Sequence, residues 1–370
     1  MMRLMGATLA LVAVAWLTVA AGNPQRGVPL WRGARYTRED RDRAIRRGLD
    51  FIYNSIARNP QHFAAYGHDL LSAFYNIAVT SRDPELRRMA WRMGHERAVE
   101  YRRLHPGVPP GAEEGDVGDL LSGLDAEERL GVPNPPLREQ LGRAVARFTV
   151  EDFLWFDPRR EPPPADIPKA CPKCGRQNAR GATVCSRDGA PLQMQSRYDI
   201  YQDALIGSYT GDRAGITLGA HYRDVLQWLP AMHPYPPRRS NDDAVYYSGV
   251  YAVTHVIYTY NDYSEYMVSR ACFPEEFEHL KANLRNAIPE KDSETMGEFL
   301  DSLRAFGLDV GDDLIRTGFE YLLSVQNPDG SWGDVDDPDP YGRYHPTWTV
   351  IDGLRDYRWT RVLPCPAVRK

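Results

Sequence analysis

The sequence predicts an all-α protein and, more closely, an (α/α)6 toroid of six outer and inner helix pairs. Three observations carry this. Long segments poor in Pro and Gly hold apolar residues at three- and four-residue spacing, the period of a helix with one buried face. Strand-like alternation is nearly absent. Successive segments also alternate in character, the first of each pair charged and amphipathic, the second richer in small and apolar residues.

Taken in order, helices are expected over 41–57, 63–79, 83–103, 115–131, 136–149, 198–212, 217–230, 242–262, 274–288, 293–307, 311–325 and 346–358. In the second, Leu70, Phe74, Ile77 and Ala78 share a face. Asp312-Asp313-Leu314-Ile315-Arg316 typifies an outer member, with one wet side. Asp119-Leu120-Leu121-Ser122-Gly123 and Tyr247-Ser248-Gly249-Val250-Tyr251-Ala252 typify inner members, buried on most sides. An open helical solenoid would use the same pairs without closing. Inner-to-outer connections such as 80–82 and 132–135 are short, whereas 105–115, 157–197, 231–241 and 327–345 are long. These long loops gather at the end where inner helices begin, and binding and catalysis are expected at that mouth.

The chain's 370 residues, 42% of them hydrophobic, suffice for one large core interrupted by one insert. The halves are expected at 22–156 and 198–370, with the insert over 157–197. The formal net charge of −5, with both signs mixed along the chain, leaves no basic stripe for a phosphate backbone, so nucleic acid is an unexpected partner. Arg3, an apolar run over 4–21 and the small residues Val19-Ala20-Ala21-Gly22 have a signal-peptide layout, with cleavage after Ala21. Export to a periplasm or exterior follows, with an uncleaved N-terminal membrane anchor as the alternative. No second apolar run of that length appears, so no stable span is expected in the mature chain.

Residues 317–333 read TGFEYLLSVQNPDGSWG. The order of Gly318, Tyr321, Leu322, Leu323, Gln326, Asp329, Gly330, Ser331 and Trp332 resembles the QW repeat of squalene and hopene cyclases, within the terpenoid-cyclase and protein-prenyltransferase superfamily of α/α toroids. A weaker echo is Arg46-Arg47-Gly48-Leu49-Asp50-Phe51-Ile52. The resemblance implies scaffold roles: the Gln ties helix ends, Asp-Gly makes a tight turn, and the Trp stacks over the neighbouring helix end. Asp334-Val335-Asp336-Asp337 has the letters of the cyclase DxDD proton donor, but Pro338-Asp339-Pro340 separates it from the next helix, and an exposed acidic loop is expected. Tyr344-His345 looks like the Tyr-His pair of prenyltransferase β subunits, in which the His binds zinc; the Asp-x-Cys that supplies that zinc's other ligands is missing here. A metal at His345 therefore needs different partners.

Cys171-Pro-Lys-Cys174-Gly and Cys185-Ser-Arg-Asp188-Gly form two Cys-x-x-ligand-Gly knuckles and resemble a zinc ribbon with Asp188 in place of a fourth Cys. Structural zinc on Cys171, Cys174, Cys185 and Asp188 is expected, a disulfide within the trio being the alternative. Cys272 and Cys365 look unrelated, one in the core and one near the tail.

Acidic residues and histidines recur at inner-helix starts, where capping is the ordinary role. From them, His68 and His345 are expected to become neighbours as the ring closes, with Asp69, Asp119 and Glu298 as carboxylate partners, sharing acid–base work or a second metal in the central cavity. The expected function is an exported toroid enzyme for an apolar or isoprenoid-like small molecule. The alternatives are a non-catalytic binding or scaffold protein and a carbohydrate-processing (α/α)6 barrel.

Overall fold

The computed structural model describes residues 27, 29–240 and 243–369, and the expected signal segment lies outside them. Among the described residues the chain is helical, with only isolated β-bridges. Helix starts follow the local chemistry closely. Thr37 and Asp40 form a reciprocal capping box ahead of α1 (Arg38–Phe51), which runs on into a π-helical turn over Ile52–Ala57. Asn59 and Asp83 cap α2 (Pro60–Thr80) and α3 (Pro84–Leu104), each with Pro at its first position. Next come α4 (Glu114–Arg129), α5 (Pro135–Val145) and the short α6 (Val150–Leu154).

The second half begins with α7 (Arg197–Ala214), opened by a Ser196–Asp199 capping box and closed by Gly215 in the left-handed region. It continues through α8 (Tyr222–Leu226), α9 (Ala244–Tyr260), α10 (Pro274–Asn283), α11 (Ala287–Glu290), α12 (Ser293–Ala305), α13 (Asp313–Ser324) and α14 (Tyr341–Leu354).

Three expectations need correction. The outer helix expected over 217–230 is only α8 and a 3-10 turn at Leu229–Met232, because Gly219 adopts a positive φ and Pro230 follows. The helix expected to start at Pro346 starts at Tyr341, and Pro346 lies inside it. Cys272 and Cys365 are bonded to each other, pinning the C-terminal segment to the start of α10.

Packing runs from α2 to α4, α4 to α7, α7 to α9, α9 to α12, α12 to α14, and from α14 back to α2 and α1. The contact of α12 with α14 is the most extensive. Glycine makes it possible: a Cβ on Gly297 would lie 2.5 Å from both the carbonyl carbon and oxygen of Thr349. On the other side α3 packs on α2 and α4, α10 on α9 and α12, and α13 on α12, α14 and α1. Trp332, fully buried, donates from Nε1 to the Leu322 carbonyl (2.8 Å) and covers Gly48 of α1, while Gln326 donates to the Ala44 carbonyl (2.8 Å).

Candidate functional site

The helices just described surround a cavity of about 400 Å³, within the ordinary range of ligand sites. Its wall draws Asp69 from α2, Gln202 and Ile206 from α7, Tyr251, His255 and Tyr258 from α9, Glu294, Glu298 and Asp301 from α12, and Tyr341, His345, Trp348, Thr349 and Asp352 from α14. Tyr263 enters from the loop after α9. Glu294 and Tyr341 lie in the first turns of their helices, whereas Tyr258, Asp301 and Asp352 lie toward the ends of theirs, so the cavity runs along the helices.

Glu294, Glu298 and His345 form its chemical centre, with one ligand atom of each within 4.8 Å of the others. Glu294 and Glu298 are four residues apart on one face of α12, and α14 brings His345 against them. His345 Nδ1 stands 3.2 Å from Glu294 Oε1, an ion pair when the imidazole is protonated. Tyr251 donates its hydroxyl to Glu294 (3.1 Å), and Thr254 donates to Glu298 (2.6 Å). These outer contacts fix both carboxylates.

Protonation is strongly perturbed here. Burial, reinforced by Glu294, pushes the Glu298 carboxyl up to about 8. Burial opposes a charge on His345, yet the Glu294 carboxylate prevails and holds the imidazole up at about 9. Burial would raise Glu294, but His345 keeps it below the usual carboxylate range. His255 is pushed down to about 4 by burial and is neutral at pH 7. Its Nδ1 donates to the Tyr251 carbonyl (2.8 Å), which leaves the lone pair on Nε2.

The aromatic wall is nearly continuous. Tyr341 stacks on His345 (centroids 4.6 Å apart), His345 meets Trp348 edge-on, and Tyr258 stacks on Tyr263 (6.1 Å). Tyr263 is held by three successive non-glycine residues at positive φ, Asp262, Tyr263 and Ser264, a conformation that costs on the order of 1 kcal/mol per residue. Hydrogen bonds offset that cost: Tyr263 N donates to the Tyr258 carbonyl (2.8 Å), Ser264 N to Asn261 (2.8 Å) and Ser264 Oγ to Asp301 (2.8 Å).

Of the residues expected at the site, Asp69, Glu298 and His345 line the cavity, and His68 and Asp119 do not. Asp69 also accepts the Tyr344 hydroxyl (2.8 Å), so α2 and α14 are neighbours as expected. The pairing of His68 with His345 is nevertheless not what forms. Adjacent helical residues point ~100° apart, and with Asp69 turned inward His68 lies beside Asp119, 3.6 Å away. Glu294, an acid in the first turn of α12, and His255, deeper along α9, also belong to the site. The i, i+4 spacing of Glu294 and Glu298 was the available signal. Asp334, Asp336 and Asp337 do not line the cavity; Asp334 and Asp336 are exposed.

The cysteine insert has a geometry of its own. Cys171, Cys174, Cys185 and Asp188 bring their ligand atoms within 4.8 Å of one another, with no disulfide among the three thiols. Cys174 Sγ is 3.7 Å from Cys185 Sγ, and Cys171 Sγ is 3.6 Å from Asp188. A tetrahedral ion with ~2.3 Å bonds to sulfur needs edges near ~3.8 Å. The two knuckles repeat one backbone pattern: Cys171 N bonds the Arg176 carbonyl and Gly175 N the Cys171 carbonyl, as Cys185 N bonds Ala190 and Gly189 N bonds Cys185. Gly175 and Gly189 share a positive φ (69° and 72°).

Compared with protein-family models, curated proteins and solved structures, the chain matches none.

Proposed function

We propose that this chain is an exported enzyme on a six-pair α/α toroid of the cyclase and prenyltransferase kind. Its active centre is a divalent metal held in the cavity by Glu294, Glu298 and His345. The carrying observation is that trio, two carboxylates and an imidazole buried together with one ligand atom of each within 4.8 Å of the others. An ion with ~2.0–2.2 Å bonds spans ligand atoms up to ~4 Å apart, so a slight contraction of the three places them around one centre.

Several features support the reading. The helix contacts α2–α4–α7–α9–α12–α14–α2 form a cycle of six, and Gln326 and Trp332 tie the last repeat to α1 as a QW repeat would. His345 follows Tyr344 at the start of the last inner helix, as in the prenyltransferases, with α12 carboxylates in place of the missing Asp-x-Cys ligands. Such an ion would act as a Lewis acid or lower the pKa of bound water, and His255 Nε2 would be at hand as a base. A non-catalytic binding protein on the same scaffold would need no such trio. The Cys272–Cys365 disulfide fits an oxidising, exported setting, and structural zinc in the ribbon explains how three neighbouring thiols remain unbonded there.

Cobalt(II) titration of the metal-free chain tests this. Two ions should bind, one with thiolate charge-transfer absorption from the ribbon and one with only weak d–d bands. Glu298→Gln and His345→Ala should each remove the second signal while preserving helicity and the first. Uptake of the thiolate-bound ion alone would refute the cavity centre.

A further inference from the structure

The chemistry of the cavity wall selects a substrate by charge. Among the described residues, five carboxyl groups line it, on Asp69, Glu294, Glu298, Asp301 and Asp352, and no Lys or Arg does. Two are matched by neighbours away from the centre: Asp352 by Arg355 (2.7 Å) and Asp301 by the Ser264 hydroxyl (2.8 Å). A divalent ion at Glu294, Glu298 and His345 would neutralise two more. Asp69 remains, accepting the Tyr344 hydroxyl, with His345 as the cationic side chain that feels its charge in the metal-free cavity. Tyr263 and Tyr341 lie within electrostatic reach of Asp69, and Tyr251, Tyr258 and Trp348 line the same cavity with rings whose faces carry negative potential. Ile206 is the one aliphatic side chain in the described lining, so the cavity's apolar surface is chiefly aromatic.

We infer that the cavity binds an organic cation, an amine or quaternary ammonium compound, with its charge at Asp69 and the tyrosine faces and its reacting part toward Glu294, Glu298 and His345. This rests on the cavity being the active site. Carboxylates and aromatic faces in a water-poor pocket both favour a cation, and cation–π contacts gain most when desolvated. The same carboxylate-rich field disfavours phosphorylated or carboxylated substrates, for which no Lys or Arg stands in the described lining.

The test is calorimetric titration of the full mature chain, metal-loaded and chelated, with choline, with its neutral isostere 3,3-dimethylbutan-1-ol, and with pyrophosphate. Choline should bind at least ~10-fold more tightly than the alcohol, about 1.4 kcal/mol, and pyrophosphate should not compete. Asp69→Asn keeps an acceptor for Tyr344 while removing the charge, and should weaken choline about fivefold or more with metal content and helicity unchanged. Equal affinities for choline and the alcohol, no choline binding, or displacement by pyrophosphate in the chelated chain would overturn the inference. Choline preference in a chain that takes up no cavity metal would instead defeat the metal reading and leave the cation site standing.

Discussion

At the scale of single residues, the site is a contest between burial and charge. Glu298 is 1% exposed and His345 lies beside two carboxylates, so in the metal-free cavity both hold protons at pH 7, with pKa values raised to about 8 and about 9. A cation that binds the Glu298 carboxylate and an imidazole nitrogen must displace those protons. Uptake at pH 7 should therefore release one to two protons per ion, by about the linkage of one proton per raised group, and affinity should climb from pH 6 to pH 9. Calorimetry in buffers of different ionisation enthalpy reads this directly. Heats independent of buffer, with affinity flat over that range, would show that neither group is a ligand. Part of this was legible in the sequence: His345 and Glu298 stood out by position. Glu294 was hidden behind the ordinary capping role of a first-turn acid, and the inward turn of Asp69 over His68 depends on a rotational phase that spacing alone does not set.

At the scale of elements, the site depends on how closely α12 approaches α14. Gly297 lies between Glu294 and Glu298, and its missing side chain lets α12 rest on the Thr349 and Val350 backbone. Gly297→Ala would place Cβ against main-chain atoms that cannot rotate away. It should cost about 3 kcal/mol as overpacking and part the two helices, lowering cavity-metal affinity more than tenfold while the ribbon ion stays bound. A variant with unchanged melting temperature and unchanged metal affinity would contradict this role. Helix positions were largely readable from apolar spacing and Pro-led starts, as α2 and α3 show. The sixth inner helix was placed five residues late because Pro346 looks like a first-position proline, whereas the structure carries it within α14. The outer helix before α9 was overcalled because glycine punctuation at Gly215 and Gly219 outweighed its apolar pattern.

At the scale of the whole molecule, the all-helical class followed from periodicity, and the return of packing from α14 to α2 agrees with the proposed closed ring. The Cys272–Cys365 bond was not readable, since a separation of 93 residues gives no hint of proximity until the chain has folded. The central proposal is that the cavity holding Glu294, Glu298 and His345 is a metal centre distinct from the cluster of Cys171, Cys174, Cys185 and Asp188. Anomalous diffraction at the metal absorption edge, on crystals of the protein as purified, tests it most directly. The account predicts two peaks per chain, one inside the Cys171, Cys174, Cys185 and Asp188 cluster and one between Glu294, Glu298 and His345. A single peak at the cysteines, with none in the cavity even after soaking in zinc or manganese, would contradict it.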